Sequence, residues 1–137
     1  MEEEFKEHSE FIMQHGAFSW SELITTDVPG AVEFYTKLFG WTTQELQMEG
    51  MSYTLVKVGE KQVGGMMAVP PQAQGMPPAW GVYVTVDDVD SIAKTAEKLG
   101  GKIIVPPTDI PDVGRFCVIQ DPQGAVISAI TYSQSMK

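Results

Sequence analysis

Over residues 17–25 apolar and polar side chains alternate. Phe18, Trp20 and Glu22 fall on one side of an extended chain, and Ser19, Ser21 and Leu23 on the other. A period of two predicts a strand with one face on a core. After Asp27 the period changes. Over 29–39, Val32, Tyr35 and Leu38 fall on one stripe at helical spacing, with Ala31 and Phe34 beside it. Asp27 is the expected N-cap, Pro29 suits the first turn, and Gly40 suits a left-handed stop. Strands follow over 41–47, 52–58 and 62–69, with turns at Gly50 and at Gly59-Glu60. Tyr53, Leu55 and Lys57 share one face of the third strand, and Gly64-Gly65 interrupts the fourth.

The order then repeats: a strand over 79–86, a helix over 89–99 stopped by Gly100-Gly101, a strand over 102–105, a loop over 106–113, and strands over 115–120 and 125–131 around a turn at 121–124. Asp27-Val28, Lys37-Leu38 and Gly40 recur 61 positions later as Asp88-Val89, Lys98-Leu99 and Gly101. Each half reads β-α-β-β-β. Strands with no helix between them pair as antiparallel meanders, and helices gathered on one face make an α+β fold. The expected organisation is an arm over 1–16, module one over 17–69, a linker over 70–78, module two over 79–132 and a tail over 133–137. Four prolines and a glycine in nine residues suit the linker to a semi-rigid crossing. The two modules are expected to pair into a curled mixed sheet whose open face forms a cleft. The arm is polar, with a weak apolar face from Phe5, Phe11, Ile12 and Met13, and has no counterpart in the second half.

A chain of 137 residues makes one domain, or two half-domains that share a core. Its net charge of −9 argues against nucleic acid and anionic membrane surfaces, and is compatible with a cationic ligand. Cys117 is the single cysteine, so no internal disulfide forms; within Arg-Phe-Cys-Val-Ile it reads as a small buried hydrophobe. The acidic start and the lack of a long apolar span predict a cytoplasmic protein.

Four motifs carry a resemblance: Phe18-Ser-Trp-Ser-Glu-Leu23, the run from Asp27 through Phe34-Tyr35 to Phe39-Gly40-Trp41, Val84-Thr-Val-Asp-Asp88, and Asp121-Pro-Gln-Gly124. Over 17–132 the chain resembles the vicinal oxygen chelate superfamily, which includes glyoxalase I, bleomycin resistance proteins and extradiol dioxygenases. Metal-dependent members of that superfamily take four ligands, typically His, Gln or Glu, from the first and last strands of each module. The resemblance maps these positions onto Trp20, Gly81, Gly65 and Ser128, none of which is His, Asp or Glu. Divalent metals need imidazole or carboxylate donors. His8 and His15 both precede the repeat, and Glu22, two residues from a mapped position, is a single carboxylate. The expectation is therefore no metal and no cofactor. The resemblance also implies a homodimer.

The candidate ligand-binding residues are Trp20, Glu22, Gly65, Met67, Trp80, Gly81, Tyr83 and Ser128. The tryptophans could stack on an aromatic or cationic ligand. Glu22, walled by Trp and Met, would have a raised pKa and is the candidate catalytic base. Met67 adapts to irregular ligands, and Gly65 lets a ligand approach the backbone. Tyr83 and Ser128 offer hydroxyls. Each also has a plain packing role open to it, and His15 is either a cover for the cleft mouth or simply exposed. Gly64-Gly65 is not a phosphate loop, because no strand, glycine-rich turn and helix surround it. The expected function is metal-free binding of a small organic molecule in the cleft. The alternatives are a metal-dependent lyase, isomerase or dioxygenase with other ligands, and a module that docks a protein partner through 1–16.

Overall fold

Asp27 and Asp88 start the two helices by the same device. Asp27 Oδ1 accepts from the Gly30 N–H at 2.9 Å ahead of α1 (Val28–Phe39). Asp88 Oδ1 accepts from the N–H groups of Asp90 and Ser91 at 3.0 and 3.3 Å ahead of α2 (Val89–Lys98). Each carboxylate satisfies N–H groups that the first helical turn leaves open. The stops differ. Gly40 ends α1 at φ 74°, its N–H bonded to Thr36 O. In the second helix the left-handed residue is Gly100, at φ 93°. Gly101, the sequence counterpart of Gly40, is needed for space instead: a Cβ there would stand 3.1 Å from the carbonyl oxygens of Ala96 and Gln120.

This computed structural model describes residues 10–48 and 50–134. Its strands are β1 (Phe18–Thr25), β2 (Thr42–Met48), β3 (Met51–Val58), β4 (Lys61–Ala68), β5 (Ala79–Thr85), β6 (Lys102–Ile110), β7 (Gly114–Gln120) and β8 (Val126–Tyr132). The chain divides into two compact units, one being Trp20–Gly81 and the other the described parts of Met1–Ser19 and Val82–Lys137. In the first, the order is β2-β3-β4-β1, antiparallel except that β4 runs parallel to β1 with Glu22 opposite Gly65 and Leu23 opposite Met66. In the second, β6, β7 and β8 form an antiparallel meander and β8 runs parallel to β5, with Tyr83 opposite Ser128. A parallel pair cannot be joined by a tight turn, so in each unit the helix and two strands lie between its members in sequence. The result is α+β, as expected.

Each helix packs on one sheet face. Leu23, Val56 and the fully buried Met66 lie against Val28, Ala31, Val32, Tyr35 and Trp41. In the other unit Val86, Val89, Ala93, Cys117 and Ala129 form the core, with Val84, Ile92, Ile103 and Ile119 around it. Cys117 is buried there, and burial pushes its thiol up. The core stripe of α1 therefore begins at Val28 and runs through Tyr35. Leu38, expected on it, lies about 70° off its middle at 100° per residue and is 56% exposed.

Three expected irregularities differ in the structure. β4 stays extended through Gly64-Gly65, and its irregularity sits just before them: Val56 pairs with Gly64 and Lys57 with Gln62, so Val63 is an extra residue on β4 with no partner on β3. β6 continues through Pro106-Pro107, where a loop was expected; it pairs with β7 alone, and its register shifts between Ile103 and Thr108, so no ladder N–H is required of the prolines. The expected linker contains a short 3₁₀ turn, Pro71–Ala73, closed by Ala73 N–H to Pro70 O at 2.9 Å. Of the expected arm, residues 1–9 lie outside the described residues, as do 135–137 of the tail. The rest of the arm is tied to β5: Gly16 N–H donates to Thr85 O at 2.7 Å and Thr85 N–H to Ala17 O at 2.8 Å. His15 Nδ1 accepts from the Asp87 N–H at 3.0 Å. No described helix is long and apolar enough to cross a membrane.

One ion pair joins α2 to the meander. Arg115 Nε and Nη2 donate to the two carboxylate oxygens of Asp90 at 2.9 and 3.0 Å, and Nη1 donates to Asp109 at 3.1 Å. Hydrogen bonding from Arg115, then its charge, holds the Asp90 carboxyl below its ordinary value of 3.8. Its contribution is present above 3.8 and is lost as pH falls through the lower folded value. Asp90→Asn should lower the urea midpoint at neutral pH, and the gap from wild type should close as pH drops below 3.8. Urea titrations across that range check this; a gap independent of pH would contradict it.

Candidate functional site

Because Leu23 and Met66 turn under α1, their neighbours Glu22 and Gly65 turn to the opposite face. Alternation adds Trp20 from β1 and Met67 from β4. Leu55 pairs with Gly65, so β3 brings Leu55 and Tyr53 to the same face. There the Trp20 indole Nε1–H donates to the Tyr53 hydroxyl at 2.8 Å, and that hydroxyl donates to Glu22 Oε2 at 2.7 Å. Glu22 is 8% exposed. A carboxylate so withdrawn from water needs donors, and Tyr53 is one of them. The polarity of this chain of bonds is fixed by its ends. Indole only donates, an ionised carboxylate only accepts, and the phenol does both.

Gly65 makes the arrangement possible. Tyr53 stands on β3 and its partners on β1, with β4 between them. A Cβ on Gly65 would collide with the Tyr53 hydroxyl and ring. The phenol thus lies flat across the middle strand on the space that glycine leaves. Tyr53 is the site residue that the sequence reading missed. Alternation gave its face; nothing in the alternation gives its reach across β4. The available signal was the glycine itself, since a mid-strand glycine marks a close approach.

The other candidates lie elsewhere. Met67 is half-buried opposite Ile24 on the Glu22 face. Trp80 is on the helix side, its Nε1–H donating to the Tyr35 hydroxyl at 3.0 Å and its ring 5.9 Å from that of Trp41. Trp20 and Trp80 are therefore apart, each bonded to its own tyrosine. At Gly81 a Cβ would meet no described atom within 4 Å. Tyr83 and Ser128 belong to the other unit, directly opposite one another on β5 and β8, with the Tyr83 ring 6.4 Å from Phe116. The repeat offset that takes Asp27 to Asp88 also takes Glu22 to Tyr83. In each unit the first-strand residue level with the mapped last-strand position is thus Glu22 or Tyr83, two residues beyond Trp20 or Gly81.

The donor set does not fit a divalent metal. Glu22 accepts from the Tyr53 phenol, which in turn accepts from the Trp20 indole N–H, and an indole N–H is not a ligand. Among the described residues no three His, Cys, Asp or Glu side chains are grouped to hold a metal ion.

Gly65→Ala should displace Tyr53 and destabilise the fold by about 1–3 kcal/mol, the usual cost of overpacking. Gly81→Ala should stay within about 0.5 kcal/mol of wild type, as an open surface position does. Denaturant unfolding of both variants checks the contrast, and tryptophan emission reports the loss of the Trp20–Tyr53 bond.

Comparison with known proteins agrees with this architecture. "Putative glyoxylase CFP32" of Mycobacterium tuberculosis is 40% identical over 120 residues, which is 87% of this chain and 45% of that protein. "Anthracycline biosynthesis protein DnrV" of Streptomyces peucetius is 35% identical over 126 residues, 82% of this chain and 46% of that protein. The chain thus spans less than half the length of these relatives. Methylmalonyl-CoA epimerase from Mycobacterium tuberculosis superposes with a TM-score of 0.62 at 17% identity, over 88% of this chain and 90% of that one, which is a likeness of fold. The sequence profile of the Glyoxalase/Bleomycin resistance protein/Dioxygenase superfamily matches residues 15–128, and the chain belongs to that superfamily.

Proposed function

We propose that this protein binds a small organic molecule, aromatic or cationic, without a metal, on the sheet face that carries Trp20, Glu22, Gly65, Met67 and Tyr53. The observation that carries the reading is the directed chain of bonds from Trp20 through Tyr53 to the buried Glu22. A carboxylate held in place among apolar and aromatic side chains is the kind of convergent polar group that small-molecule sites use. Tyr53 orients Glu22, and Glu22 is the group placed to pair with a ligand cation or to take a proton from a bound ligand. Tyr83 and Ser128, opposite one another on β5 and β8, are proposed as a ligand-binding pair of their own unit. The relatives' names support a small-molecule role, one being called a glyoxylase and the other an anthracycline biosynthesis protein.

Isothermal titration against a panel of aromatic and amphiphilic cationic compounds tests the reading. Saturable binding by wild type is expected, at least tenfold weaker in Glu22→Gln and in Trp20→Phe. Absence of binding, or binding indifferent to both substitutions, would sink it. Stoichiometric Zn, Ni, Fe or Mn in protein purified without chelator would overturn the metal-free part. The reading includes a homodimer. The resemblance supports it. Light scattering should give twice the chain mass.

A further inference from the structure

The helix side of the Trp20–Gly81 unit carries a second candidate that the reading above does not use. A cavity of about 360 Å³ opens beside the first turns of α1, with Leu23 and Thr25 among its buried lining. Its aromatic walls are Phe34, Tyr35 and Trp80, and Asp27 also lines it. The walls meet nearly at right angles: Phe34 and Tyr35 are 5.1 Å apart at 81°, and Tyr35 and Trp80 are 5.4 Å apart at 79°. The bond from Trp80 Nε1–H to the Tyr35 hydroxyl ties two of them together. Phe34 and Trp80 remain 59% and 41% exposed, an arrangement that apolar burial alone does not favour.

We propose that this box takes a small organic cation of the alkylated-ammonium class. Rings set at right angles offer π faces from more than one side to a single positive centre. Asp27 supplies the charge. Its Oδ1 caps α1, while among the described residues Oδ2 receives no hydrogen bond and no Lys or Arg pairs with the carboxylate. The start of α1 carries about half a positive charge, which works against a cation. The full negative charge of Asp27 outweighs it, and the net charge of −9 draws cations to the surface. The volume lies within the range of small-ligand pockets.

Choline and its neutral isostere 3,3-dimethylbutan-1-ol, titrated into the full chain with calorimetry and tryptophan emission as readouts, test the site. Choline should saturate and the isostere should bind at least tenfold more weakly. Trp80→Ala should reduce choline affinity at least tenfold. Trp80→Phe, which keeps a ring and serves where the alanine variant does not fold, should reduce it several-fold. Asp27→Asn retains a capping side chain and should weaken choline several-fold. Glu22→Gln and Trp20→Phe should leave choline affinity unchanged, which separates this site from the one on the opposite face. Equal binding of the two compounds, no saturation, indifference to Trp80 and Asp27, or loss of binding in Glu22→Gln would each overturn the proposal. So would choline affinity that falls as protein concentration rises, because a second copy of the chain would then be covering the box.

Discussion

Each unit depends on the parallel pairing of its first and last strands. Glu22 lies opposite Gly65 and Tyr83 opposite Ser128. This pairing forces a crossover, the crossover carries the helix, and the helix takes one sheet face for the core. The register is then rigidly specified, because a slip by one residue would send Leu23 and Met66 out of the core and Glu22 into it. In the Trp20–Gly81 unit the register thus fixes both the apolar layer under α1 and the polar row on the opposite face. The repeat at 61 residues is the sequence trace of this constraint.

On that opposite face the arrangement follows from which groups can only donate a hydrogen bond and which can only accept one. Trp20 begins the chain and Glu22 ends it, so Tyr53 has one arrangement that satisfies both neighbours. Burial sharpens the preference, since a carboxylate left without donors at this depth would cost several kcal/mol. Gly65 is as much a part of the device as the three side chains. Without its missing Cβ the phenol could not cross β4.

Much of this was legible in the chain. The cap at Asp27, the recurrence of Asp27-Val28 as Asp88-Val89, the αL stop at Gly40, the order of strands and the superfamily all followed from patterns spaced within one element or one repeat. What escaped were features set by a neighbour distant in sequence. Pro106-Pro107 reads as a loop until β6 is seen to pair on one side only. Gly100-Gly101 reads as a joint helix stop until Gly100 alone is found in the left-handed region. Leu38 fits a helical stripe until the cap at Asp27 moves the core face to Val28. Tyr53 reads as one more alternating residue until Gly65 opens its path. Trp20 and Trp80 resemble each other in sequence position, yet they serve opposite faces.

That last pair shows how one local motif divides by its surroundings. Both tryptophans donate to a tyrosine hydroxyl, at 2.8 and 3.0 Å. Tyr53 donates a hydrogen bond to a buried carboxylate, so the first chain ends on Glu22 and holds it in a fixed direction. Among the described residues no carboxylate is hydrogen-bonded to Tyr35; its ring is one wall of an open box that Asp27 also lines. The chain orients a charge, whereas the box leaves aromatic faces exposed beside a carboxylate oxygen that receives no hydrogen bond among the described residues. The same pair of residue types therefore stands in two different settings within one unit.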